Sequence, residues 1–125
     1  MRGAALMLLV LAACEGSFDG VFPEPRTYRF EFFATREECQ AAQPPGFHIN
    51  CSQTIEFRPD GRAFVTLTDI INPATYGIRG RRVRVEPDGP GDFAGTLELE
   101  LSEDEALLTD VDTGKVWVRD GPEGG

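Results

Sequence analysis

Residues 93–119 read FAGTLELELSEDEALLTDVDTGKVWVR, and this stretch decides the fold. Leu97, Leu99 and Leu101 alternate with Thr96, Glu98 and Glu100, the two-residue period of a strand with one buried face. Ser102–Glu105 is a polar turn, Ala106–Asp110 a second strand, and Asp112-Thr113-Gly114 a second turn. Lys115–Arg119 closes the series on Val116 and Val118. Strands joined by turns this short pair antiparallel, because a parallel pair needs a long crossover.

The same grammar holds upstream. PDGPGD at Pro87–Asp92 is the strongest loop signal in the chain. Val83 and Val85 alternate with Arg82, Arg84 and Glu86, after a turn at Arg79-Gly80-Arg81. Thr75–Ile78 reads as a short strand, preceded by a break at Asn72-Pro73. Arg62–Asp69 turns Ala63, Val65 and Leu67 inward. Cys51–Arg58 does the same with Ile55 and Phe57, and Pro59-Asp60-Gly61 joins these two strands. Thr27–Thr35 alternates Tyr28, Phe30 and Phe32 with Arg29 and Glu31. Thr35-Arg36-Glu37-Glu38 is a capping box that predicts a helix of about two turns, Arg36–Gln43, stopped by Pro44. The expectation is an all-β domain of about eight antiparallel strands, closed as an up-and-down barrel, with one short helix in the loop after the first strand.

The N-terminus carries an address. MRGAALMLLVLAAC has a positive residue, Arg2, and a short apolar run, too short to span a bilayer. Leu11-Ala12-Ala13-Cys14 resembles the lipobox of bacterial lipoprotein precursors. The resemblance implies cleavage before Cys14, a diacylglycerol on its thiol, and a lipid-anchored place in the cell envelope. With Glu15 rather than Asp after the cysteine, that place is the outer membrane if the source is Gram-negative. Residues 1–13 are then signal peptide, 14–26 lipidated Cys and tether, 27–119 the barrel and 120–125 a polar tail. Loss of residues 1–13 removes one charge, Arg2, and takes the net charge from -9 to -10. A chain this acidic is repelled by nucleic acid.

Three cysteines in an exported chain leave one over, and lipidation of Cys14 accounts for it. Cys39 and Cys51 remain as a pair in an oxidising compartment, where a disulfide is expected. It would pin the Gln43-Pro44-Pro45-Gly46 segment, which cannot form a regular element.

From Phe57 to Arg119 the series F-x-x-D-G, T-Y-G-I-x-G-x-x-V-x-V, L-x-L-x-L-S-E-D-x-x-L-L-T-D and W-V-R resembles the small lipocalin-like domains of bacterial lipoproteins. The resemblance implies a barrel and permits a ligand cavity, while the usual G-x-W of the first strand is missing. The aromatic residues Tyr28, Phe30, Phe32, Phe57, Phe64, Phe93 and Trp117 would line such a cavity or fill it.

Catalytic chemistry is sparse. His48 is the single histidine, so any Ser-His-Asp set would have to use it, and a multi-histidine metal site is excluded by count. Asp110-Val111-Asp112-Thr113-Gly114 lacks the closing Glu of a calcium loop and reads as a hairpin turn. No nucleophile elbow or phosphate loop appears, so no enzymatic activity, cofactor or metal is expected. Arg79, Arg81, Arg82 and Arg84 form the one basic cluster. They would meet lipid phosphates or an acidic partner, or pair with Glu86, Glu98 or Glu100 across the sheet. The expected role is non-enzymatic, binding or structural. The partners would be the membrane through Cys14 and either a small apolar ligand or an envelope protein, with Tyr28, Phe30, Phe32, Arg82, Arg84 and Trp117 as candidate contacts. A second reading is an envelope inhibitor of a basic hydrolase such as lysozyme, because Ala74-Thr75-Tyr76 is similar to a strand of the membrane-bound lysozyme inhibitors and an acidic barrel is steered toward a basic enzyme.

Overall fold

A computed structural model describes residues 17–46, 49–90 and 95–121. The strands are β1 (Arg26–Glu31), β2 (Ser52–Phe57), β3 (Arg62–Thr66), β4 (Ile71–Arg79), β5 (Arg82–Pro87), β6 (Leu97–Leu101), β7 (Leu107–Asp110) and β8 (Val116–Arg119), with a short helix α1 (Arg36–Ala41) after β1. They form a closed barrel in sequence order, every neighbouring pair antiparallel, which is the expected up-and-down architecture. Closure comes from β1 against β8, with Tyr28 opposite Arg119 and Arg29 opposite Val118. A closed sheet leaves no unpaired edge.

The alternation read from the sequence sets which side chains fill the interior. Tyr28, Ile55, Phe57, Ala63, Val65, Val83, Val85, Leu99, Leu101 and Leu108 are all buried there. The Thr35 hydroxyl accepts from the Glu38 amide and caps α1, which ends two residues earlier than expected. Gly61 supplies the positive φ, 87°, that the β2–β3 turn requires.

Four expectations are corrected. Asn72-Pro73 does not break the chain: β4 runs straight through it. The Pro73 carbonyl accepts from the Asp88 amide on the β5 side, so its nitrogen faces the same side, just beyond the first β4–β5 pair, Ala74 with Pro87. The β3–β4 ladder, in which Pro73 lies opposite Phe64, therefore loses no bond, and the single donor that proline lacks falls at the end of the β4–β5 ladder, where a strand tolerates it. Second, β1 stops at Glu31, and Phe32 lies 47% exposed instead of continuing the inward row. Third, the faces of β8 differ from the valine reading: Trp117 points in opposite Leu108, while Val116 and Val118 face outward. The larger apolar side chain gains more from burial. Fourth, Phe64 is not an interior residue but lies on the outer wall under the Arg58 guanidinium, 4.4 Å from its ring centre.

The two ends of the barrel differ. At one end the segment before β1 turns back and seals the opening. Gly20 and Ile78 exchange two backbone hydrogen bonds, of 2.9 and 2.8 Å. Phe22 inserts beside Phe57, Tyr76 and Tyr28 with ring centres 5.2, 5.7 and 6.4 Å away. Its amide donates to the Tyr76 hydroxyl, which donates in turn to the Arg58 carbonyl. Arg26 covers the outer face of Phe22 at 4.1 Å and pairs with Glu105 at 2.7 Å. Glu105 adopts a positive φ, 64°, uncommon for a side-chain-bearing residue. It is held by three contacts: its amide on the Ser102 carbonyl, its own carbonyl under the Tyr28 hydroxyl, and its carboxylate on Arg26.

Both tyrosines of the chain therefore sit in the closed end. Desolvation raises the pKa of each phenol above its ordinary value of 10.0, despite the opposing hydrogen bond and charge of Arg26 at Tyr28. The folded state holds these protons more tightly than the unfolded chain. Stability is thus complete below about pH 10 and falls as the pH rises toward the folded-state pKa values. Phenolate absorbance should appear together with loss of β-sheet circular dichroism in an alkaline titration. Titration of both phenols near 10 with the fold intact would contradict the buried placement. Phe57→Ala should lower the unfolding free energy by about 3–5 kcal/mol in urea.

Candidate functional site

The opposite end of the barrel is built differently. No segment of the described residues seals it in the way Phe22 seals the other. Its interior rim consists of Phe30, Leu67 and Leu97, each partly buried against the core. Lys115, at the start of β8, reaches over this rim. Its ammonium lies 4.6 Å from the Phe30 ring centre and 5.3 Å from that of Trp117, and it donates to Gln53 Oε1 at 2.8 Å. Gln53 Nε2 donates onward to the Leu67 carbonyl. Trp117 itself is buried, and its indole Nε1 has no hydrogen-bond partner among the described residues. A buried donor without a partner costs about 1–3 kcal/mol, so this N–H is a place where an added acceptor is favoured.

Around this rim the surface is apolar and held in place. Phe32 packs edge-on against Phe30, at 5.4 Å. Phe32, Ile49, Asn50, Leu67, Thr68 and Asp69 enclose a groove of about 320 Å³. Ile70 and Ile71 beside it are 55% and 62% exposed. The Cys39–Cys51 disulfide, with Cα atoms 5.6 Å apart, fixes the loop that presents Ile49. Within that loop the Gln43 amide accepts from the Ile49 N–H and donates to the Ile49 carbonyl, at 2.6 and 3.0 Å. The Phe32 amide bonds the Cys51 carbonyl at 3.0 Å. These apolar side chains are exposed on a stapled frame. A rim fixed in this way loses little entropy when a ligand settles on it.

The residues singled out by sequence fall into three groups. Phe30, Phe32 and Trp117 come together at the open end. Tyr28 does not join them: it lies fully buried in the closed end, with its hydroxyl on the Glu105 carbonyl. Arg82 and Arg84 stand on the outer wall of β5 and face Glu100 and Glu98 of β6, at 3.6 and 2.7 Å, the cross-strand pairing anticipated for them. Arg84 also stacks on Phe18, 4.0 Å from its ring centre. Nearby, Arg62 pairs with Asp88 at 2.6 Å, and this hydrogen bond holds the Asp88 carboxyl below its usual range. Cys14, His48 and Phe93 lie outside the described residues.

Two participants were missed from sequence, Lys115 and Gln53. Lys115 is the chain's single lysine, and its position two residues before Trp117, the same-face spacing of a strand, was the available signal. The Asp110–Gly114 segment behaves as the turn expected of it. The Asp110 carboxylate accepts from the amides of Asp112 and Thr113, and Gly114 takes a φ of 81°. Among the described residues no three His, Cys, Asp or Glu side chains gather as a metal set. No family model matches this chain, and neither a curated protein nor a solved structure matches it.

Trp117→Phe removes the unpartnered N–H at modest loss of volume. It should cost no more than about 1 kcal/mol of stability, against about 3–5 kcal/mol for Trp117→Ala. Equal losses for the two variants would mean that the indole N–H is satisfied in the fold. The double variant Arg82→Ser/Arg84→Ser should lower stability by roughly 0.2–1 kcal/mol per pair, the range for exposed ion pairs.

Proposed function

We propose that this chain is a lipid-anchored lipoprotein of the cell envelope, attached through Cys14, that acts as a non-enzymatic binding module. Its contact site is the open end of the barrel. The observation that carries this reading is the Trp117 indole N–H, buried without a partner among the described residues beneath Lys115 and Phe30, with an exposed apolar rim beside it. A cation and an unsatisfied donor next to apolar side chains suit a small amphiphile: an apolar body on the rim and an acidic head toward Lys115. An eight-stranded barrel is just wide enough for side chains to fill, so the ligand is expected to seat at the rim and not in a deep cavity.

The lysozyme-inhibitor reading draws support from the acidic charge alone. Ala74 and Tyr76 are buried inside the barrel, which leaves only Thr75 of that stretch facing outward.

Two experiments test the proposal. Cys14→Ser should release the protein from the membrane fraction, and the intact wild-type protein should carry a diacylglyceryl mass. Addition of a long-chain fatty acid to the released domain should produce a saturable change in Trp117 emission, weakened several-fold by Lys115→Met and by Ile49→Ser. A flat emission with the fatty acid, and a bare mass for protein released gently from its own envelope, would overturn the ligand reading.

A further inference from the structure

The segment just before β1 does more than seal the barrel. It fixes where the chain upstream of it must lie. Phe22 is inside the closed end, Gly20 is bonded to Ile78, and Phe18 folds over the outer wall of β4 and β5. Gly77 is required there: a Cβ on it would collide with the Phe18 carbonyl oxygen. The guanidinium groups of Arg84 and Arg79 both lie against the Phe18 ring, 4.0 and 5.1 Å from its centre. From Ser17 to Cys14 is three residues, a reach of at most about 11 Å. A lipid on Cys14 therefore brings the bilayer against the β4–β5 flank at the closed end.

That flank carries the basic cluster of an otherwise acidic chain. Arg82 and Arg84 are engaged by Glu100 and Glu98. Arg79 and Arg81 are exposed at the hairpin tip, Arg79 against the Phe18 ring. We infer that the Phe18–Phe22 strap and the Arg79-Gly80-Arg81 hairpin form a membrane-docking surface for phospholipid phosphates. This inference rests on the lipid-anchor reading of Cys14. Docking on this end directs the open end away from the bilayer, by about 20–25 Å, the length of β4 projected on the barrel axis. The rim would then meet ligands in the aqueous space and not in the headgroups.

The test uses the full lipidated protein in vesicles of phosphatidylcholine and phosphatidylglycerol, compared with the same protein in neutral detergent. Arginine modification by phenylglyoxal is read by peptide mass spectrometry. Arg79 and Arg81 should be protected several-fold by the vesicles, while Arg36 on α1 at the open end reacts equally in both. Gly77→Leu, which evicts Phe18, should abolish the protection while the protein still floats with the vesicles. Flotation with all arginines equally reactive, or with Arg36 protected instead, would overturn the docking alone. Failure of the native protein to float would overturn the anchor and the docking with it.

Discussion

The insertion of Phe22 among Tyr28, Phe57 and Tyr76 is the contact on which the asymmetry of this barrel depends. An up-and-down barrel has two equivalent openings until something distinguishes them. Here one opening receives an aromatic ring from the tether, a guanidinium over that ring, and a hydrogen-bonded tyrosine below it. Aromatic pairs of this geometry add about 0.5–1.5 kcal/mol each beyond the area they bury. The plug therefore stabilises the barrel, and it also ties the fold to the membrane-proximal chain. Among the described residues the other opening has no such ring and keeps a partly buried rim instead.

Function and stability separate along the barrel axis for the same reason. At the closed end the buried side-chain donors of the described residues other than Arg26 Nε have partners, and the side chains interlock. At the open end a buried indole N–H lacks a partner among the described residues, a lysine sits over two aromatic rings, and isoleucines face solvent. These are costs that a purely structural barrel has no reason to keep, and a disulfide-stapled loop holds them in one arrangement. Exposed apolar side chains grouped on a fixed frame are what a binding rim needs.

Much of this fold was legible in the sequence because strands with one buried face write a two-residue period. Leu97-Leu99-Leu101, Val83-Val85 and Ile55-Phe57 could be placed inside from that period alone, and Thr35 and Gly61 marked their cap and turn. Pro73 was misread because a proline's effect depends on which neighbour its nitrogen faces, a fact of pairing and not of composition. Val116 and Val118 were misread because a strand that is apolar on both faces has no period to break the tie. Apolar Phe18, Val21 and Phe22 mark a tether of which part can pack on the domain, but where it packs is not legible: the contacts of Gly20 with Ile78 and Phe18 with Gly77 join residues nearly sixty apart, and no local pattern announces them. The site followed the same rule. Phe30 and Trp117 were visible as aromatics on strands, whereas Lys115 and Gln53 became site residues only when closure brought β8 beside β1 and β2.

The central claim is that the tether is part of the barrel and gives it one sealed end. Amide hydrogen exchange on the folded protein tests this most directly. The amides of Gly20, Phe22 and Ile78 each have an acceptor in the structure and should exchange only with unfolding of the whole domain, as slowly as those of β4 and β5. Exchange of Gly20 and Phe22 at the rate of an unstructured tail, with β4 and β5 still protected, would contradict it: the barrel would then be open at both ends and its polarity lost.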